Sequence, residues 1–172
     1  NPDSTMSEKP NMKDMKQTAH RGGVTVRVVP RLDVKGPNLV KGISFDGWRV
    51  LGTPEFFSRK YAEEGADELI YQDTVASLFQ REPLFDIIEK TARGTTIPLM
   101  VAGGIRSVED IRKILRAGAD KVGINTAAIR NPDLLSEAVR EFGSQCICTS
   151  IEAQINRCGT YECFINYGRQ PT

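Results

Sequence analysis

The chain has 172 residues, 40% hydrophobic and 26% charged, the size and make-up of one ordinary globular domain. Lys plus Arg number 23 against 22 Asp plus Glu, a net charge of +1, so there is no electrostatic case for a nucleic-acid partner or an anionic membrane surface. No run approaches the ~20 apolar residues of a membrane span, and none has the charged-then-apolar build of a secretory signal, so a cytoplasmic location with free thiols is expected.

Residues 1–23, NPDSTMSEKPNMKDMKQTAHRGG, are polar and lack apolar periodicity. They are expected to form a disordered leader ahead of one structured unit, residues 24–172. The single histidine, His20, lies in that leader, so the chemistry of the body has to work without histidine. From Val24 to Val34 the chain is rich in β-branched residues and reads as a strand, although Pro30 would normally confine it to an edge. Residues 35–53 carry Gly36, Pro37, Gly42, Gly47 and Gly52 and read as a long loop. A helix is expected over 54–64, with Thr53 as its cap, Pro54 in its first turn and Gly65 as its stop.

Glu68–Asp73 reads as a second strand, and the helix after it runs from Pro83 to about Ala92. Ile97–Ala102 is a third strand ending in Gly103-Gly104. Ser107-Val-Glu-Asp110 fits a loose capping box for a helix over 108–117. Lys121–Asn125 is a short fourth strand, a helix spans 132–142, and 145–152 is a fifth strand. The tail from Gly159 to Gly168 alternates like a hairpin arm. Glu64-Gly-Ala-Asp-Glu-Leu69 and Ala117-Gly-Ala-Asp-Lys-Val122 share one grammar: helix, glycine stop, acidic turn, strand.

Strict alternation of strands and helices means parallel strands with helical crossovers. The first strand lacks the Gly-x-Gly-x-x-Gly of a dinucleotide-binding fold. The polar residues gather instead at strand C-terminal ends, as at the mouth of a (βα)8 barrel. The fold class is therefore α/β, a partial (βα)8 TIM barrel of about four βα units plus a fifth strand. A complete barrel takes about 250 residues, so residues 24–172 read as its N-terminal half.

Asp33 and Glu152 end the first and fifth strands, which would face each other across such a mouth. Opposed carboxylates suit general acid–base work, though each could simply cap a loop by accepting from backbone N–H groups. Asp73 ends the second strand in the same way. Gly103 and Gly104 leave backbone N–H groups open to a ligand, and Asn125 and Thr126 add side-chain donors one strand later; together they could cradle a phosphate. The blander alternative is a tight turn that needs glycine. Lys41 in the long loop could reach an anionic substrate from a lid, or be merely solvated. Arg27, Glu68 and Lys121 each begin a strand and would meet at the opposite end, on these grounds as a structural ion-pair cluster. Cys146, Cys148, Cys158 and Cys163 have C-x-C and C-x4-C spacings, unlike paired C-x2-C zinc motifs. Buried structural thiols are expected, with no metal and no cofactor.

The strings Arg27-Val-Val-Pro-Arg-Leu-Asp-Val-Lys, Leu39-Val-Lys-Gly42, Gly65-Ala-Asp-Glu-Leu, Ala102-Gly-Gly-Ile, Gly118-Ala-Asp-Lys-Val-Gly-Ile-Asn-Thr-Ala-Ala128 and Phe142-Gly-Ser-Gln145 closely resemble the cyclase subunit of imidazole glycerol phosphate synthase. The resemblance runs from about Arg27 to the C-terminus. It implies a barrel that takes ammonia from a glutaminase partner and a phosphorylated substrate, with no cofactor, and releases imidazole glycerol phosphate and an aminoimidazole carboxamide ribotide for histidine biosynthesis. It makes Asp33 the first catalytic aspartate and Lys41 the mobile-loop lysine. Gly104, Asn125 and Thr126 become part of a phosphate site. Arg27, Glu68 and Lys121 become three of the four members of a charged ammonia gate.

Several positions depart from the family pattern. Glu152 stands where an Asp is usual, Arg31 where a Cys is, Gly36-Pro37-Asn38 where an Asp-Gly follows Val-Lys, and Val75 where a Thr is. These changes are similar to a cyclase-like branch that supplies ammonia for amidino-sugar synthesis in surface polysaccharide. Three expectations result: a truncated cyclase with weak or no turnover on its own, an ammonia-channelling homologue, or an inactive half barrel that self-associates as a homo-oligomer.

Overall fold

The computed structural model describes residues 26–43, 47–74, 82–165 and 170–172. The expected leader, with His20, lies outside them. The first strand, β1, runs over Arg31–Lys35 and starts directly after Pro30. Proline has no N–H to give to a ladder, so regular pairing begins one residue later, while the Pro30 carbonyl still accepts from the Ile70 N–H at 3.0 Å.

The segment expected as a long loop is instead a hairpin, β2 (Asn38–Ile43) and β3 (Gly47–Gly52). Gly36, at φ +56, supplies the left-handed residue that turns β1 back antiparallel onto β2. Helix α1 (Pro54–Glu63) follows Thr53, whose hydroxyl makes no capping bond. Next come β4 (Leu69–Asp73), α2 (Glu82–Gly94), β5 (Leu99–Ala102), α3 (Val108–Arg116) and β6 (Lys121–Ile124). The Ser107–Asp110 capping box of α3 is complete in both directions. A short helix, α4 (Thr126–Arg130), precedes α5 (Asp133–Phe142), and β7 is only Ile147–Thr149. Three further strands, β8 (Glu152–Ile155), β9 (Tyr161–Ile165) and β10 (Gln170–Pro171), form a separate antiparallel sheet.

The main sheet has the order β3-β2-β1-β4-β5-β6-β7, and β1, β4, β5, β6 and β7 are all parallel. The repeated Gly-Ala-Asp turns have a shared physical job. After α1 the Ala66 N–H reaches the Tyr61 carbonyl and the Gly65 N–H the Ala62 carbonyl; after α3, Ala119 reaches Ile114 and Gly118 reaches Leu115, the Schellman closure with glycine in the left-handed position. The aspartate then accepts from a backbone N–H near the start of the preceding strand: Val28 donates to Asp67 Oδ2 at 2.7 Å and Leu99 donates to Asp120 Oδ2 at 2.8 Å. Each repeat thus locks a helix end to the neighbouring strand.

Register decides which face is which. Leu32, Tyr71, Val101, Val122 and Ile147 form one row across the sheet. The first four are buried, and with Ile87, Ile88, Ile111, Ile114, Leu134 and Ala138 from the helices they build the core. The alternate rows carry Arg31, Ile70, Met100 and Lys121, then Asp33, Gln72, Ala102, Gly123 and Cys148. On that face Arg31 is exposed and Ile70, Gln72, Met100 and Lys121 are only half-buried. Helices therefore cover one side of the sheet, and the side bearing Asp33 is open. Among the described residues no helix is long and apolar enough to cross a membrane.

Candidate functional site

The C-terminal ends of the parallel strands bring most of the sequence-predicted residues to one rim. Asp33 is the third residue of β1 and lies opposite Gln72 of β4 in register. Its Oδ1 is buried and has no hydrogen-bond donor. Arg31 Nε stands 3.1 Å from that oxygen but poorly aligned with it, and Arg31 Nη2 is 3.5 Å from Oδ2. Asn125 follows β6 directly, and its Oδ1 is likewise buried without a donor. Two orphaned acceptors, one in β1 and one just past β6, are unusual in a folded interior, where buried polar atoms find partners. Both oxygens keep acceptor capacity that no described group uses.

Gly103 and Gly104 follow β5 with φ of +103 and +63. A Cβ on Gly103 would lie 2.4 Å from the Asp73 carbonyl oxygen, so the glycine lets the end of β5 press against the end of β4. Thr126 opens α4 beside Asn125. Asp73 shares the buried alternation of Leu69 and Tyr71, which puts it on the opposite side of the sheet from Asp33. Lys41 sits not in a loop but on β2, opposite Arg49, and is exposed.

Glu152 does not end the fifth strand as expected. Strand β7 stops at Thr149, and Glu152 opens β8, opposite Phe164 of β9, in the second sheet. The Ser150 N–H still donates to the Ile124 carbonyl at 2.9 Å, after which the chain leaves the parallel ladder. The short β7 and the antiparallel pairing of β8 explain the difference.

At the other end of the strands the three predicted charges meet. Glu68 is 4% exposed. Arg27 Nη2 approaches its Oε2 at 2.5 Å, and Lys121 Nζ donates to Oε1 at 3.0 Å and Oε2 at 2.8 Å. Burial alone would raise the Glu68 carboxyl, but the hydrogen bonds from Lys121 and Arg27 outweigh it and hold the group below its ordinary value. None of the four cysteines is in a disulfide. Cys146 and Cys148 are half-buried, whereas Cys158 and Cys163 are exposed, so the expectation of buried thiols fails for the pair on the small sheet, around the β8–β9 hairpin. Among the described residues no group of His, Cys, Asp and Glu could hold a metal.

Sequence reasoning noted Arg31 only as a departure and passed over Gln72. The signal was available: Arg31 and Asp33 are two apart on a strand and so share a face.

A family model described as "Histidine biosynthesis protein" matches residues 27–172. Similar proteins include the imidazole glycerol phosphate synthase subunit HisF of Legionella pneumophila, 52% identical over 147 residues, which cover 86% of this chain and 69% of that protein. The proteins of the same name from Lactococcus lactis subsp. cremoris (strain SK11) and Streptomyces coelicolor are 45% and 46% identical, each across 87% of this chain. The chain spans 58% and 59% of their respective lengths. By this match and by its row of parallel βα units, the chain belongs to the histidine biosynthesis protein family, among the cyclase subunits of imidazole glycerol phosphate synthase.

Proposed function

We propose that this chain carries the ammonia-dependent ring closure of imidazole glycerol phosphate synthase, giving imidazole glycerol phosphate and an aminoimidazole carboxamide ribotide. The observation that carries the proposal is the pairing of two ends of one sheet: Asp33 with an orphaned carboxylate oxygen at one, the Arg27–Glu68–Lys121 cluster at the other. Ammonia adding to an electrophilic carbon must lose a proton, and the departing nitrogen or oxygen must gain one. Asp33 is suited to the first step, and Glu152 is assigned the second.

Gly103, Gly104, Asn125 and Thr126 are assigned to one phosphate of the substrate, with Lys41 as an outer contact, and Asp73, on the other side of the sheet, is left out of the site. Arg27, Glu68 and Lys121 are assigned to the ammonia gate facing a glutaminase subunit. The open face of the sheet supports a homo-oligomer in which a second copy covers it, and a strict monomer by mass measurement would remove that part.

The test is imidazole glycerol phosphate formation at high ammonium concentration without glutaminase. Turnover that Asp33→Asn abolishes is expected; turnover unaffected by that change would overturn the assignment. A second reading, ammonia relay for amidino-sugar synthesis, is favoured by one observation. Glu152 lies outside the sheet that carries Asp33, and misplacement by about 1 Å can reduce a rate ~10²-fold. A folded sample with no turnover would favour the relay or an inactive half barrel.

A further inference from the structure

We propose that Arg31 is a positioning residue that holds the Asp33 carboxylate in its working orientation. The inference rests on the assignment of Asp33 to proton transfer. Arg31 and Asp33 are two residues apart on β1 and project from the same open face. Arg31 Nε lies 3.1 Å from Asp33 Oδ1 and Nη2 lies 3.5 Å from Oδ2, so the guanidinium spans both oxygens from one side.

No other side chain has this relation to Asp33 among the described residues. Its register neighbour Gln72 turns its amide to the Asp73 carbonyl, at 3.4 Å. The cations Arg27 and Lys121 are engaged by Glu68 further down the strands. Without Arg31, a short carboxylate side chain on the open face of β1 would be free to change rotamer. With it, Oδ1 is steered by charge while its lone pairs stay unused by any hydrogen bond. A general base needs its carboxylate oriented with acceptor capacity unspent, and Asp33 has both.

The Arg31 side chain is 61% exposed, and exposed ion pairs contribute little to folding. Its loss should therefore be felt in Asp33 and scarcely in stability. This separates a positioning role from a structural one, because the Arg31 side chain lies exposed on the open face and not in the core.

Two measurements test the proposal on the full chain, one of which needs no catalysis. The first is the χ1 rotamer distribution of Asp33 from NMR couplings in wild type, Arg31→Gln and Arg31→Lys. A single rotamer is expected in wild type, averaging over rotamers in Arg31→Gln, and a largely restored single rotamer in Arg31→Lys. An Asp33 that stays fixed in Arg31→Gln, or is already averaged in wild type, overturns the proposal. The second is ammonium-dependent turnover in the same variants. Arg31→Gln should lower kcat about tenfold with KM within twofold and an unchanged thermal midpoint, and Arg31→Lys should recover part of it. Unchanged kcat in Arg31→Gln overturns the proposal, whereas absence of turnover in wild type bears on the assigned reaction and leaves the rotamer measurement to decide.

Discussion

Tyr71 is fully buried at the middle of β4, and its hydroxyl is wedged between two others. It lies 2.7 Å from Ser58 Oγ on α1 and 2.8 Å from Thr91 Oγ1 on α2, while Ser58 Oγ also donates to the Pro54 carbonyl at 2.7 Å. Three hydroxyls thus tie two helices to β4, the strand that follows Glu68. Tyr71→Phe removes two neutral hydrogen bonds at about 1 kcal/mol each, so a loss of about 2 kcal/mol is expected near neutral pH.

Burial pushes the Tyr71 phenol up from 10.0 to about 12, with the Ser58 and Thr91 hydrogen bonds acting against it. A group raised in the folded state keeps its full contribution below its unfolded value. It loses that contribution as pH climbs through the folded one. Two pH units correspond to about 3 kcal/mol, so the wild-type advantage over Tyr71→Phe should vanish near about pH 11.5 and then reverse. Urea unfolding of both proteins from neutral to strongly alkaline pH, with tyrosinate absorbance followed in parallel, gives the two curves. Curves that remain parallel would refute the claim that the buried phenol resists ionisation.

Other outcomes follow from the same geometry. Glu68→Gln should cost about 2 kcal/mol, less than a fully buried pair because Arg27 and Lys121 keep some water. It should also flatten the acid limb of the stability curve. The reason is that Glu68, held below its ordinary value, contributes above the unfolded carboxylate range and loses that as pH falls through its folded value; an unchanged acid limb in urea titrations would count against the cluster. Gly103→Ala should cost about 3 kcal/mol, since its Cβ meets the Asp73 carbonyl, whereas Gly36→Ala, also at positive φ but in open space, should cost about 1 kcal/mol. Equal thermal shifts for the two would show that the close approach carries no weight. Glu152→Gln should abolish ammonium-dependent turnover, and an unchanged rate would remove Glu152 from the chemistry.

The parallel order of five strands and the positions of the long helices were legible because period and punctuation agree. Gly65 and Gly118 stop helices, and apolar residues recur at helical spacing between them. The Arg27–Glu68–Lys121 ion-pair cluster was legible because all three residues lie at or a few positions ahead of the starts of parallel strands. The β2–β3 hairpin was not, because Gly36, Gly42, Gly47 and Gly52 outweighed a weak alternation in Leu39–Lys41 and Trp48–Val50. Two of those glycines, Gly47 and Gly52, are the two ends of a strand whose residues are nearly all exposed, so burial left little pattern to read. Glu152 was misplaced for a different reason: Cys146–Ile151 is continuously strand-like in sequence, and only tertiary pairing with β9 reveals where one ladder ends and another begins.

The same hairpin has a geometric effect on the flank of β1. Its ladder with that strand pairs Val34 and Lys35 with Leu39 and Asn38, and among the described residues the strand paired with Arg31–Asp33 is β4. Any strand joining from that side can run alongside those three residues but meets Leu39 at Val34. The hairpin therefore works as an end stop that limits how far a newcomer can slide. Because a slip of one residue exchanges the two faces of a strand, this stop also selects which of the newcomer's side chains would stand beside Asp33.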